Sequence, residues 1–160
     1  ARDADTAEPR RLASVGPADE AVFRPTVLSR SVDWAFRIAA VLQLGSQAGG
    51  SVAFLAPQAG QAASGIAAVA ADGHTELAMS GLAPTTGSAV YAAWAIAAPD
   101  AAPIPIGEFA VSGNGAGNLA TTVPGAAPGV TLAVTREPNP GATKPTTPIV
   151  AAGTTRAPTA

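Results

Sequence analysis

His74 is the only histidine in the chain, with Asp72 and Glu76 two positions to either side of it. An imidazole between two carboxylates is where proton-transfer chemistry would be sought first. A Ser-His-Asp trio would also need a serine held on a sharp turn such as Gly-x-Ser-x-Gly, and no such elbow occurs. One histidine rules out a His–His metal pair. The absence of Cys removes thiolate ligands, a thiol nucleophile and any disulfide framework. Asp72-Gly73 is a strong two-residue hairpin signal, so His74 reads as an exposed residue at a hairpin end. Glu108 interrupts the apolar run Ile104 to Val111 and alternates with Phe109, which points it to solvent, whereas on a covered strand it would need a partner. The glycines from Gly113 to Gly117 follow one strand pattern and precede another, with no Lys behind them, so they do not form a phosphate cradle. The expectation is a protein with no catalytic residue, no metal site and no cofactor.

Charge placement narrows the function further. Arg2, Arg10, Arg11, Arg24, Arg30 and Arg37 fall in the first 37 positions. From Ile38 to Thr135 there is neither Lys nor Arg, and Asp72, Glu76, Asp100 and Glu108 are the only acids. A nucleic-acid surface needs clustered cations, so nucleic acid is set aside as a partner of that part. A carbohydrate or small-ligand site would call for an exposed aromatic cluster, and two Trp, one Tyr and four Phe are too few to expect a small-molecule substrate.

The elements that carry these residues read as β throughout most of the chain. Val90 to Ala97 has no charge, Gly or Pro, and turn-forming residues close both ends. Alternation places Val90, Ala92, Trp94 and Ile96 on one side and Tyr91, Ala93, Ala95 and Ala97 on the other. Both sides are apolar, which predicts a central strand covered on both faces. Further strands are predicted at 51–56, 66–71, 74–80, 104–111, 118–123, 129–135 and 149–152. Gly- and Pro-rich turns separate them, including a Pro-rich excursion from Glu137 to Thr147. The fold class is all-β: an antiparallel β-sandwich of about seven or eight strands, with Tyr91, Trp94, Ile96 and Phe109 in its core.

Residues 1–30 mix charges of both signs with Pro9, Pro17 and Pro25 and read as an extended N-terminal arm. Residues 31–45 read as one amphipathic helix, capped by Ser31 and stopped by Gly45, with Trp34, Ile38, Val41 and Leu42 on one face. Three uses are open to it: packing on its own domain, lying in a membrane interface, or docking on another protein. A fourth reading takes Ile38 to Ala56 as a membrane span, but Gln43, Ser46, Gln47 and Ser51 make it polar for that role. The docking or membrane-interface residues expected on this basis are Trp34, Ile38, Val41, Leu42 and Phe23. The sandwich domain spans 51–153, and 154–160 form a C-terminal tail.

Three segments in order resemble the C-terminal, extracytoplasmic domain of the anti-sigma-K factor family. Gly81-Leu82-Ala83-Pro84 leading to Tyr91-Ala92-Ala93-Trp94 is similar to that family's Gly-Leu-x-Pro followed by a Tyr-x-x-Trp strand. Pro105-Ile106-Gly107-Glu108-Phe109 resembles its next strand. Val130 to Pro138, with Lys144-Pro145-Thr146 and Pro148-Ile149-Val150, is similar to its closing strands and the Pro-Thr turn between them. The resemblance covers residues 51–153 and implies a β-sandwich outside the membrane. Residues 1–37 are short and Pro-broken for the helical domain with which such proteins hold a sigma factor, so the resemblance does not carry sigma-factor inhibition over. The expected function is a non-catalytic, extracytoplasmic (periplasmic-side), membrane-associated protein-binding sandwich. It would be an accessory or scaffolding subunit, docked through arm and helix on a membrane protein complex or membrane surface. The alternative is the sensory extracytoplasmic domain of a membrane-bound anti-sigma factor.

Overall fold

A computed structural model describes residues 27–123 and 128–159. They form one helix and eight strands: α1 (Val27–Gly45), β1 (Ser51–Pro57), β2 (Ser64–Val69), β3 (His74–Ser80), β4 (Val90–Ile96), β5 (Ile104–Phe109), β6 (Gly117–Thr122), β7 (Thr131–Glu137) and β8 (Ile149–Thr154). Every expected strand is present. The arm expected at residues 1–30 lies outside the described residues as far as position 26, and Phe23 with it.

The strands run in the order β5-β4-β7-β8-β1-β2-β3-β6, all neighbours antiparallel. The order divides into two four-stranded layers, β1-β2-β3-β6 (the first sheet) and β5-β4-β7-β8 (the second). They share the seam where Ala56 and Pro57 of β1 pair with Ala152 and Ala151 of β8. At the other margin the layers meet again, and the Thr121 hydroxyl of β6 donates to the Ile106 carbonyl of β5. Gly107 makes that approach possible, because a Cβ there would stand 2.9 Å from both methyls of Leu119. The sandwich is thus nearly closed into a barrel, which leaves little unpaired edge.

The main core lies between the layers and includes Leu55, Met79, Leu82, Tyr91, Phe109, Leu132 and Val134. β4 is buried along both faces, as its sequence predicts. Tyr91 faces the interlayer core, where its ring stacks on Phe109 at 5.7 Å between centroids. Trp94 is fully buried on the opposite face with Ala92 and Ala133, and Ile96 is partly buried against them.

The helix begins at Val27, ahead of the Ser31 cap, and ends at Gly45 as expected. It lies across the outer face of the first sheet, where Val41 packs with Ile66, Ala68 and Ala78, and Trp34, Ile38 and Leu44 close around them. Alanines on that sheet face let the helix come close. The stretch 38–56 is not one helix: it breaks at Gly45, turns, and enters β1 at Ser51. Among the described residues no helix is long and apolar enough to cross a membrane.

The Asp72-Gly73 hairpin carries three loop residues rather than two. Gly73 N–H bonds Ala70 O and Ala70 N–H bonds His74 O, at 2.9 and 2.8 Å. Gly73 takes φ of 90°, the left-handed residue that completes this longer turn. β7 also runs two residues past its expected end, so Arg136 and Glu137 belong to the strand and the Pro-rich excursion begins after Glu137.

Candidate functional site

Several polar side chains gather around Glu137, which is 0 % exposed at the end of β7. A buried carboxylate is tolerated only when its oxygens are satisfied. Thr135 Oγ1 donates to Glu137 Oε1 at 2.6 Å, and Thr146 supplies both its N–H, 3.2 Å from Oε1, and its hydroxyl. Thr135 in turn accepts the indole Nε1–H of Trp94 at 2.8 Å. Burial pushes the Glu137 pKa up, but the hydrogen bonds from Thr135, Thr146 and Thr147 outweigh it and hold it below the ordinary carboxylate value. A charged acceptor met by several donors ties the segments that carry those donors together.

Glu108 belongs to the same arrangement. Instead of turning to solvent it is half-buried, and its Oε1 accepts Gly141 N–H at 2.7 Å. Residues 138–148 cross the outer face of the second sheet as a strap, and Glu108 and Glu137 each take one of its backbone N–H groups. Sequence reading missed Glu137 because a charged residue just before Pro138 looks like the start of a loop. The available signal was the alternation of β7 itself, continued two residues further.

A second set of polar contacts surrounds Tyr91. Its hydroxyl donates to Ala83 O at 3.0 Å, fixing the Gly81–Pro84 loop against the end of β4. Thr85 ties the same loop to the end of β5, its hydroxyl bonding Val111 O at 3.2 Å and accepting Val111 N–H at 3.0 Å. Arg136 reaches the Pro84 carbonyl at 3.4 Å. Burial raises the Tyr91 pKa against the lowering effects of Arg136 and the Ala83 bond. The segments quoted above as motifs are therefore one connected structure: loop 81–84, β4, the end of β5, β7 and the Pro-Thr turn.

The residues that could have done chemistry do not converge. His74 Nε2 is 3.7 Å from Glu76 Oε1, both side chains more than a third exposed, and Asp72 Oδ1 accepts the His74 backbone N–H at 2.9 Å. Asn114 Oδ1 accepts Ala116 N–H at 3.2 Å, which folds the glycine loop back on itself. Among the described residues no three His, Cys, Asp or Glu side chains are grouped to hold a metal ion.

Of the expected docking residues, Val41 is buried under the helix, and Trp34 and Ile38 are partly buried on the domain's own sheet. Leu42 is exposed on the flank. Phe36 and Phe54, at 72 % and 71 %, are the most exposed large apolar side chains among the described residues. Between α1 and the end of β1 lies an open groove of about 380 Å³ whose lining includes Trp34, Ile38, Phe54, Pro57 and Ile66. Among the described residues no charged side chain lines it.

A protein-family model described as "Anti-sigma-K factor rskA, C-terminal" matches residues 6–150. The match includes α1, β1 to β7, the first two residues of β8 and most of the segment ahead of α1. Searches of curated proteins and of solved structures found no match.

Proposed function

The chain belongs to the anti-sigma-K factor C-terminal family, and from that membership we propose that it acts by binding protein, as the regulatory β-domain of an extracytoplasmic, membrane-associated anti-sigma factor. The observation that carries the non-catalytic part is the employment of its polar side chains. Glu137, Thr135, Thr146, Tyr91 and Glu108 each hold a loop or strap to the sandwich. The reach of the family match, from the chain's sixth residue through β7, favours the regulator over a free-standing scaffold. Signalling would pass through contacts on the outside of the sandwich rather than through chemistry within it.

A second reading, an accessory subunit on a membrane protein complex, rests on one feature. Phe36, Leu42 and Phe54 leave apolar area exposed on α1 and β1, and such area suits a protein or lipid surface. The two readings part in a gentle-detergent purification from membranes, followed by mass spectrometry of co-migrating chains. A sigma factor, or the anti-sigma segment that holds it, supports the regulatory reading. A stoichiometric set of integral-membrane proteins without a sigma factor supports the accessory reading. Recovery of the chain alone overturns both.

A further inference from the structure

The 138–148 strap carries prolines at 138, 140, 145 and 148 and forms no strand of its own. Polar contacts attach it to the sandwich along its length. The Ser88 hydroxyl lies 3.0 Å from Pro138 O and 2.8 Å from Asn139 Oδ1 at one end. Glu108 takes Gly141 N–H in the middle. Glu137 takes Thr146 at the far end, where the Thr147 hydroxyl also donates to Arg136 O at 2.9 Å. Beneath the strap lies the Trp94, Ala92 and Ala133 cluster, against which the strap's Ala142 packs. The indole thus lies beneath a segment that two carboxylate acceptors, Glu108 and Glu137, help to hold down.

We propose that the 138–148 strap is an acid-released cover: protonation of Glu137 frees Thr146 and lifts the strap from Trp94 while the sandwich beneath stays folded. Glu137 is met by two hydroxyls and a backbone N–H, all pointing hydrogens at it. A carboxylic acid adds a hydrogen of its own, so the Thr146 hydroxyl keeps a bond to it only by turning to accept, and every bond at the site loses the charge that strengthens it. Thr135 is fixed from behind by the Trp94 indole, whereas Thr146 sits on the strap, which can move. β4 and β8 present no titratable side chain there. The other charged groups nearby in the fold are Glu108 on β5, Arg136 on β7 and Lys144 on the strap. None of these is among the influences on the Glu137 carboxyl, which are burial and its hydrogen bonds. Because those bonds hold its pKa below the ordinary value, the latch is closed above that range and opens as the pH falls through the folded value.

The chain contains two tryptophans, so Trp34→Phe leaves Trp94 as the single reporter. Its emission and acrylamide quenching are followed from neutral to strongly acidic pH, with far-UV circular dichroism recorded on the same samples. The expected result is a severalfold rise in quenching at a pH where the sheet signal is unchanged. Glu137→Gln replaces an acceptor oxygen by an NH2 donor and should expose Trp94 already at neutral pH. Glu108→Gln keeps an acceptor oxygen for Gly141 and should leave the transition in place. If Glu137→Gln does not fold, the titration of the Trp34→Phe protein decides alone. The proposal is overturned if Trp94 becomes accessible only as the sheet signal is lost, if it stays protected throughout the acid range, or if a folded Glu137→Gln protein shields it at neutral pH.

Discussion

Trp94 and Glu137 are joined through a single hydroxyl: the indole donates to Thr135 Oγ1 at 2.8 Å, and Thr135 donates to Glu137 at 2.6 Å. Thr135 is 0 % exposed, so no solvent stands ready to replace it. Thr135→Val keeps the volume but removes both partners' contact, leaving a buried N–H and a buried carboxylate short of bonds. Loss of such partners costs about 1–3 kcal/mol. Denaturant unfolding should show an unfolding free energy lowered by that amount, with Thr135→Ser close to the parent. A Val protein as stable as the parent would show that the relay contributes nothing.

Tyr91 is the chain's only tyrosine, so its titration can be read directly from absorbance. Burial raises its folded pKa, so on ionisation the unfolded chain gives up its proton first. Stability is then fully present below the ordinary tyrosine value and declines as pH rises through it. Tyr91→Phe should remove that alkaline decline while costing about 1 kcal/mol at neutral pH for the lost Ala83 bond. Alkaline stability curves of the two proteins, if parallel, would contradict this account.

What could be read in the sequence follows from how local each signal is. Val90 to Ile96 declares a two-faced buried strand because alternation and flanking turns lie within a dozen residues. The face chosen by α1 is less local: Trp34, Ile38 and Val41 turn to the first sheet because Ile66, Ala68 and Ala78 make that sheet's outer face apolar, and only the fold brings the two together. Glu137 was hidden for the same reason. Its donors Thr135 and Thr146 look like surface threonines until the strap places Thr146 over β7.

The helix offers a two-sided test. Trp34→Ser with Ile38→Ser strips apolar contacts from its sheet-facing side, and large-to-small core changes of this kind cost about 2–5 kcal/mol. The thermal midpoint should fall and the protection of the β2 and β3 amides from hydrogen exchange should weaken. Phe36→Ser with Leu42→Ser touches exposed positions and should leave stability nearly unchanged. If α1 also serves as a docking surface, the second pair alone should release the protein from membranes, as scored by pelleting. Release by the first pair with stability intact would mean that the sheet-facing side is the docking side after all.

The seam between β1 and β8 depends on Gly153. A Cβ there would lie 2.1 Å from Phe54 O and 2.7 Å from Phe54 C, and both are backbone atoms that no rotamer change can move. On one side of this point Ala151 and Ala152 pair with Pro57 and Ala56; on the other, Val52 and Arg156 exchange two backbone hydrogen bonds of 2.9 and 2.8 Å. Gly153→Ala must spread the strands between these two anchors, and overpacking of this kind costs about 1–3 kcal/mol. The Val52 and Arg156 amides should lose exchange protection first, because they hold the seam beyond the point of strain. Gly113→Ala is the matched control: nothing lies within 4 Å of its added Cβ, so its effect should stay within about 0.5 kcal/mol. Equal stability of the two alanine proteins would mean that the seam gives way freely and that the sandwich does not depend on joining its layers there.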